Sequence, residues 1–293
     1  FICQTYRADV RAKRQSRLHD SDFLQKHFTF VRWLPDKARA NSIASNSTNK
    51  VKVRLLESIP EQQIFVTKYY TKVLKASLTA TKLYNQALYA VPFDEQGLSL
   101  QQANLKGDQL ARFQYSRQQV IAGALLDKKI AKPLVWLTET ALHDVLLQGT
   151  GVLDVDGKRR FFNVTRNNGI AYDYRLGKTE QARYWYFTEV PGIMGYGHDQ
   201  ESKIMIKPQV TFAGNVAQLG LGKLIMLSYA SPEGMVSRMG ILADQGGAFD
   251  NNLFQLDLLV DSYYGWADYH QANKQLPDYA SAWIMLLKHS QSK

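Results

Sequence analysis

The stretch 239–260 reads MGILADQGGAFDNNLFQLDLLV and places two carboxylates where apolar residues dominate. Asp244 ends one apolar run and is followed by Gly246 and Gly247, while Asp257 sits inside the next run. An acid within an apolar strand costs free energy unless it is paired or used. Side-chain carboxyls in such a setting point to acid–base chemistry, and the two glycines would let backbone pass close to a ligand or to Asp257. The structural alternative is that Asp244 ends a strand and caps a turn, with Asp257 facing solvent on an alternating strand.

Other chemistries lose support residue by residue. His19, His27, His143, His198, His270 and His289 form no H-E-x-x-H pair, and no G-x-S-x-G nucleophile elbow occurs. The GTG at 149–151 lacks the third glycine of a dinucleotide loop, and GLGKL lacks the hydroxyl residue and the earlier glycine of a P-loop. One cysteine, Cys3, permits neither an intrachain disulfide nor a cysteine metal site. No metal and no cofactor are expected, and carboxylate chemistry remains.

The bulk numbers bound the partners. The 36 basic and 26 acidic residues give a net charge of +10, which raises encounter rates with polyanions. That charge is scattered, without a block of five like charges, so no nucleic-acid arm is expected. Hydrophobic residues at 45% mark a globular chain, and 293 residues suffice for one large domain or two ordinary ones. Sixteen Tyr and five Trp offer flat faces with a polar edge, suited to sugar or peptide grooves, or else to filling β cores. No run approaches 18 apolar residues, so no transmembrane segment is expected. No signal peptide is visible and the first residue is not Met, which suggests a mature or trimmed form.

The elements that must carry the acids are mostly strands. DFLQKHFTFVRWL (22–34) has the spacing of a short amphipathic helix, ARANSIASNSTNK (38–50) reads as a loop, and VKVRLLES and QIFVTKYYTKVLKAS read as strands. The segment from Asp108 to Lys129 has helical spacing with Asp108 as N-cap, and PLVWLTETALHDVLLQ is compatible with helix or strand. Asp156-Gly157 signals a hairpin. After Lys203, IMIKPQVTF, GKLIMLSYA, VSRMGILA, FQLDLLV and SAWIMLLK are short apolar runs separated by Gly or Pro, a barrel pattern rather than a βαβ one.

Seven segments, in order, resemble the membrane-bound lytic murein transglycosylase A (MltA) family: TKYYTKVLKAS, ALYAVP, YSRQQVIAGALLDK, LLQGTGVLDVDGKRRFFNVTRNNGIAY, IKPQ, ADQGGAF with LDLLV, and AWIMLLK. The match covers roughly residues 65–290. The resemblance implies a mainly β protein: a double-psi β-barrel domain made by both chain ends, 1–75 and 204–293, carrying the family's three-aspartate (3D) module. An inserted second β-rich domain spans 76–203, with a glycan groove between the two. It further implies Asp257 as the catalytic acid and Asp244 as its partner. Substrate contacts are implied at Tyr69, Tyr70, Thr71, Gln148, Gly149, Thr150, Asn168, Tyr172, Gly246 and Gly247. Peptidoglycan glycan strands are the implied partner, with cell-wall synthesis or division proteins beside them. The implied location is the periplasm, with outer-membrane association, and the implied state a monomer.

A lytic transglycosylase can work with a single acid, because the substrate's own C6 hydroxyl replaces water as nucleophile. That acid must be protonated near neutral pH. Apolar neighbours Leu256, Leu258 and Leu259, and the like charge of Asp244, would raise its pKa. The chain also departs from the family. GNVAQLGLGKLIML lacks the Asp and Pro of the family's upstream barrel turn, Lys72 replaces a Pro, and a gapless alignment puts Gln255 rather than Asp257 at the acid's place. The rival expectation is therefore a peptidoglycan-binding or scaffold protein that keeps the fold without catalysis. Ile2 before Cys3 fits a lipoprotein site poorly.

Overall fold

The fold was established as a computed structural model, which describes residues 1–197, 201–246, 249 and 251–288. Among the described residues the strands are β1 (Phe28–Trp33), β2 (Ile64–Ala76), β3 (Gln86–Tyr89), β4 (Pro133–Leu137), β5 (Thr150–Val155) and β6 (Lys158–Asn167). They continue with β7 (Trp185–Val190), β8 (Thr211–Ala213), β9 (Leu224–Ser231), β10 (Gly234–Asp244), β11 (Gln255–Tyr263) and β12 (Tyr279–Leu287). The chain forms two compact units. The first comprises residues 1–68, 208–259 and 275–293, and the second 69–207 and 260–274. The boundaries fall inside β2 and β11, so the second unit begins a few residues earlier than 76 and takes in 260–274 as well.

The first unit is a closed six-stranded barrel built from both chain ends. β12 runs antiparallel to β9, β9 forms a hairpin with β10, β10 lies parallel to β8, and β8 is antiparallel to β11. β11 neighbours β2, and β2 returns to β12 through Phe65↔Tyr279 and Ile64↔Ala280, which closes the ring; β1 lies outside it on β12. Closure leaves no unpaired edge within the ring. Its apolar residues Ile64, Phe212, Ile225, Leu242, Leu256 and Ala282 are fully buried. Packing is tight enough to specify glycine: a Cβ on Gly240 would lie 2.4 Å from the Phe212 ring, well inside contact distance.

The second unit has a sheet in which β2 runs parallel to β5, β5 and β6 form a hairpin, and β7 adds to β6; β3 and β4 pair separately. The hairpin turn is the one read from Asp156-Gly157, with φ of 52° and 77°, the left-handed pair that a tight turn between twisted strands needs. Its core gathers Leu88, Leu137, Val145, Leu153, Phe162 and Tyr186. Glu95 is buried here between Arg112, at 2.6 Å, and Arg166, at 2.7 Å.

The N-terminal third departs from its sequence reading. Residues 38–50 are not a loop: a helix spans Lys37–Ser45, with Asp36 capping Arg39 N at 3.0 Å. Its Ala40 and Ala44, one turn apart, bury against Leu56 and Phe65, and that packing outweighs the turn preference of Ser and Asn. VKVRLLES is helix as well, Lys50–Glu57, capped by Asn49. Its alternating valines imitated a strand, yet Val51 points to solvent. The 22–34 segment divides into a helix, Ser21–His27, capped by Asp20, and strand β1, whose aromatic and β-branched residues favour extended backbone. Between 108 and 129 there are only short turns and helices, with Ser116 in a capping box with Gln119, whereas Asp108 lies in a 3-10 turn. Of IMIKPQVTF, only Thr211 and Phe212 enter a strand, β8.

Candidate active site

Both acids lie on the barrel of the first unit, on the two strands that flank β8. Asp257 on β11 pairs with Ala213, and so does Asp244 on β10. Residues in register share a face, so the two carboxyls leave the sheet on the same side, with only the Ala213 methyl between them. Two strand spacings separate their backbones, roughly 10 Å.

A bulge creates this arrangement. Leu242 pairs with Phe212, but Asp244 rather than Ala243 pairs with the next residue, Ala213. One extra residue in a strand turns every later side chain to the other face. Without it Asp244 would leave the sheet opposite to Asp257. Gly214 N donates to the Asp244 carbonyl, and the Asp244 carboxylate accepts from Gln245 N at 2.9 Å, so the acid also shapes the strand end.

The environment of Asp257 is unusual for a carboxylate. Leu256 and Leu258 on either side are buried in the barrel, while the Asp257 side chain keeps some surface on the opposite face. Its Oδ1 is nevertheless shielded from solvent and has no hydrogen-bond partner. Burial is the main force on its titration and raises the pKa to about 7; the nearby Thr67 hydroxyl opposes this, the Asp244 charge adds to it, and Lys68 opposes it. Lys68 is tied to Asp278 at 2.9 Å. Such a carboxyl holds its proton near neutral pH and can also release it, as a general acid that later acts as base must do.

Gln255 lies two residues before Asp257 on the same strand face. Its Nε2 donates to Thr67 Oγ1 at 2.8 Å, and its Oε1 accepts from Asn252 Nδ2 at 3.1 Å. Gly246 follows β10 with ordinary backbone conformation, and a Cβ there would meet Phe249 at a normal 3.5 Å, so neither strain nor crowding demands glycine. Gly247 lies outside the described residues.

The other sequence-selected residues belong to the second unit. Tyr69 is part-buried on β2. Tyr70 stacks on Tyr269 with ring centroids 4.6 Å apart and meets Tyr263 edge-on at 5.8 Å; exposed Trp266 packs on Tyr269 at 5.2 Å. Thr71 is buried, its hydroxyl 2.6 Å from that of Ser262. Gln148 ends the helix Glu139–Gln148 with an exposed side chain, Gly149 caps that helix in the left-handed conformation, and Thr150 opens β5 and accepts from Asn163. Tyr172 is part-buried and rests against Tyr174. Asn168 is buried with its amide fully used: it donates to the carbonyls of Tyr115 and Ala182 and accepts from Tyr184 N. These bonds give it a structural task in the 168–184 loop.

Comparison with known proteins bears on the family. Residues 65–179 match the family model described as the MltA specific insert domain. The chain has the MltA fold with the MltA insert. Three solved structures of this fold are similar over nearly the whole length. MltA from Neisseria gonorrhoeae gives a TM-score of 0.54 at 15% identity, covering 90% of this chain and 93% of that one. Escherichia coli MltA with bound chitohexaose gives 0.53 at 15% identity, covering 90% and 95%. The lytic transglycosylase LtgG of Burkholderia pseudomallei gives 0.51 at 17% identity, covering 97% and 84%. Among curated proteins, no sequence match was found.

In this MltA-like chain, sequence reasoning singled out the acids but passed over Thr67, Lys68 and Ala213, which surround them. Thr67 carried a usable signal: it is the first polar residue after the apolar IFV run of β2. Ala213 carried none, because its importance lies only in being small and in register with both acids.

Proposed function

We propose that the protein is a peptidoglycan lytic transglycosylase with Asp257 as its single acid and base. The observation that supports this most is the Asp257 carboxyl itself, shielded, unpartnered at Oδ1 and titrating at about 7 within an MltA-type barrel. Protonated Asp257 donates to the glycosidic oxygen between N-acetylmuramic acid and N-acetylglucosamine, and the C1–O bond breaks. The Asp257 carboxylate then takes the proton of the muramyl C6 hydroxyl, whose oxygen bonds to C1 and closes a 1,6-anhydro ring. Protons and bonds balance without water or a second catalytic carboxylate. Asp244 serves by its charge, keeping the proton on Asp257 at neutral pH. Tyr69, Tyr70, Thr71, Gln148, Gly149, Thr150 and Tyr172, with Gly246 and Gly247, are proposed glycan contacts; Asn168 holds the loop that carries Tyr172. This reading carries with it a periplasmic location and partners among cell-wall proteins. Among the described residues, no helix is long and apolar enough to cross a membrane.

Digestion of purified sacculi tests the reading. The soluble products should carry 1,6-anhydromuramyl ends and be about 18 Da lighter than hydrolysis products, because ring closure incorporates no water. New reducing ends would make the protein a hydrolase instead. One observation favours a second reading, a binder without catalysis: Gln255, which a gapless alignment puts at the acid's place, has its amide committed to Thr67 and Asn252. On that reading the protein sediments with sacculi yet releases nothing.

A further inference from the structure

The second unit carries a ladder of aromatic rings that ends in solvent. β11 runs out at Tyr263, Tyr264 and Gly265 follow, and a helix spans Trp266–Asn273. Tyr70 of β2 stacks on Tyr269, with centroids 4.6 Å and planes 21° apart. Tyr263 meets both edge-on, at 5.8 and 5.9 Å. Trp266 ends the ladder. It lies one helical turn before Tyr269 and His270 and packs on both, at 5.2 and 5.8 Å. The buried Asn273 fixes the rings, donating to the Tyr263 hydroxyl at 3.0 Å and to the Tyr269 carbonyl at 2.8 Å. Yet Trp266 is 67% exposed and Tyr264 48%. An aromatic cluster built for stability hides its largest ring; this one holds it out in water.

We propose that Trp266 is a stacking platform for a pyranose ring of a glycan strand. That the strand is peptidoglycan rests on the function proposed above. A pyranose presents a flat C–H face bounded by hydroxyl and amide groups, so it needs an aromatic plane with polar groups at the edge. The edge is present: Asp268, His270 and Gln271 follow Trp266 on the helix, all exposed. Tyr264, two residues before Trp266, is held as well, its hydroxyl donating to Asp154 at 2.6 Å and the Lys75 ammonium lying over its ring. A ring supported in this way has little freedom left to lose, so stacking costs little in ordering. Charge argues against a lipid surface as the occupant. The helix WADYHQAN holds one acid and no Lys or Arg, and only Lys274 follows it, whereas an anionic bilayer selects cations beside the tryptophan. The platform is also continuous with the proposed glycan contacts, because Tyr70 belongs to the ladder.

The test is binding of the N-acetylglucosamine tetrasaccharide and of purified sacculi, both in an Asp257→Asn background so that no cleavage interferes, beside lysis by wild type. The tetrasaccharide has neither peptide nor charge, so it reads stacking alone. Trp266→Ala should weaken it by about two- to tenfold, the size of one lost ring stack, and Trp266→Phe, which keeps a ring, by less. In the 15N spectrum of the tryptophan indoles, the signal missing from Trp266→Phe should move as the sugar is added. Unchanged affinity in folded Trp266→Ala, with wild type still lytic, overturns the platform and leaves the proposed function standing. Trp266-dependent binding by a wild type that releases no muropeptide supports the platform and removes the catalytic reading. A wild type that binds neither probe overturns both. Self-association, or retention on phosphatidylglycerol vesicles, that is lost in Trp266→Ala while sugar affinity is unchanged assigns the patch to a second copy or to lipid and overturns the platform. Should Trp266→Ala lose its melting transition, the indole titration decides: a Trp266 signal that stays in place overturns the platform.

Discussion

Asp257 in the first unit and Asp154 in the second are both acids on sheet strands among buried neighbours, and their titrations move in opposite directions. Asp154 is bound by Lys75 at 2.5 Å, by the Tyr264 hydroxyl at 2.6 Å and by Gly157 N at 2.9 Å; the Lys75 and Tyr264 bonds bring its pKa down to about 2. Asp144 follows the same rule: burial pushes it up, but Lys72 and Lys178, both at 2.6 Å, outweigh that and hold it below the usual carboxylate range. Glu95 is enclosed by two arginines. The second unit thus pairs these acids with cations and uses them to hold loops and strands together. In the first unit the Asp257 Oδ1 is shielded from solvent and has no hydrogen-bond partner, and among the described residues no ion pair holds its carboxyl. The difference shows that burial alone does not set an acid's state; its partners do. An acid left underpaired costs stability, and cost without structural return is a mark of a functional group.

The largest effect that could break this comparison is on activity. Asp257→Asn should lower sacculus lysis by about a hundred- to ten-thousand-fold, the usual range for loss of a general acid, while sedimentation with sacculi persists. It should not destabilise. An acid with a raised folded pKa binds its proton more tightly in the folded chain, so stability falls as pH rises from the unfolded value to about 7. The amide has no such penalty, and its melting temperature above pH 7 should equal or exceed that of wild type. A marked fall would class Asp257 with the structural acids.

The converse substitution belongs to the second unit. Glu95→Ala leaves Arg112 and Arg166 without their shared carboxylate and should cost about 3–5 kcal/mol, measured by urea unfolding. A loss below about 1 kcal/mol would mean that water or neighbouring carbonyls replace the acid, and the contrast between the units would weaken.

A smaller effect sharpens the account of the barrel site. Lysis by wild type should decline as pH rises through about 7, because the acid loses its proton there. Asp244→Asn removes one of the forces that raise the pKa, so the limb should move to lower pH, by less than would follow from removing burial, which is the larger force. An unmoved limb would mean that the bulge aligns the two acids without coupling them.

The smallest effect concerns acid tolerance. Asp154 has a depressed folded pKa, so its contribution to stability is present above the unfolded value near 4 and is lost as pH falls through about 2. Melting temperatures of wild type and Asp154→Asn, followed from pH 6 to pH 2, should converge at the acid end. Parallel curves would show that the Lys75 and Tyr264 bonds carry no net stability.

How much of this was legible in the sequence depended on the range of the forces involved. Local chemistry was: Asp-Gly at 156–157 determined a hairpin through backbone preference alone, and the apolar runs of β9 to β12 announced a β barrel. Two acids within apolar strands were visible as an anomaly, and ordered motifs carried the family likeness. Where local preference was weak, tertiary contact decided. Ala40 and Ala44 made a helix of a Ser- and Asn-rich stretch because a buried face awaited them, and the alternating valines of 51–58 gave way to a capped helix. The site was decided at longer range still. A bulge at Ala243 chose the face of Asp244, the register of β8 set one small residue between two carboxyls, and Thr67, 190 positions before Asp257, arrived beside it because β2 closes the barrel. Side-chain direction in a sheet alternates with every residue, so a one-residue irregularity reverses it, and no local pattern of residue types records where that irregularity falls.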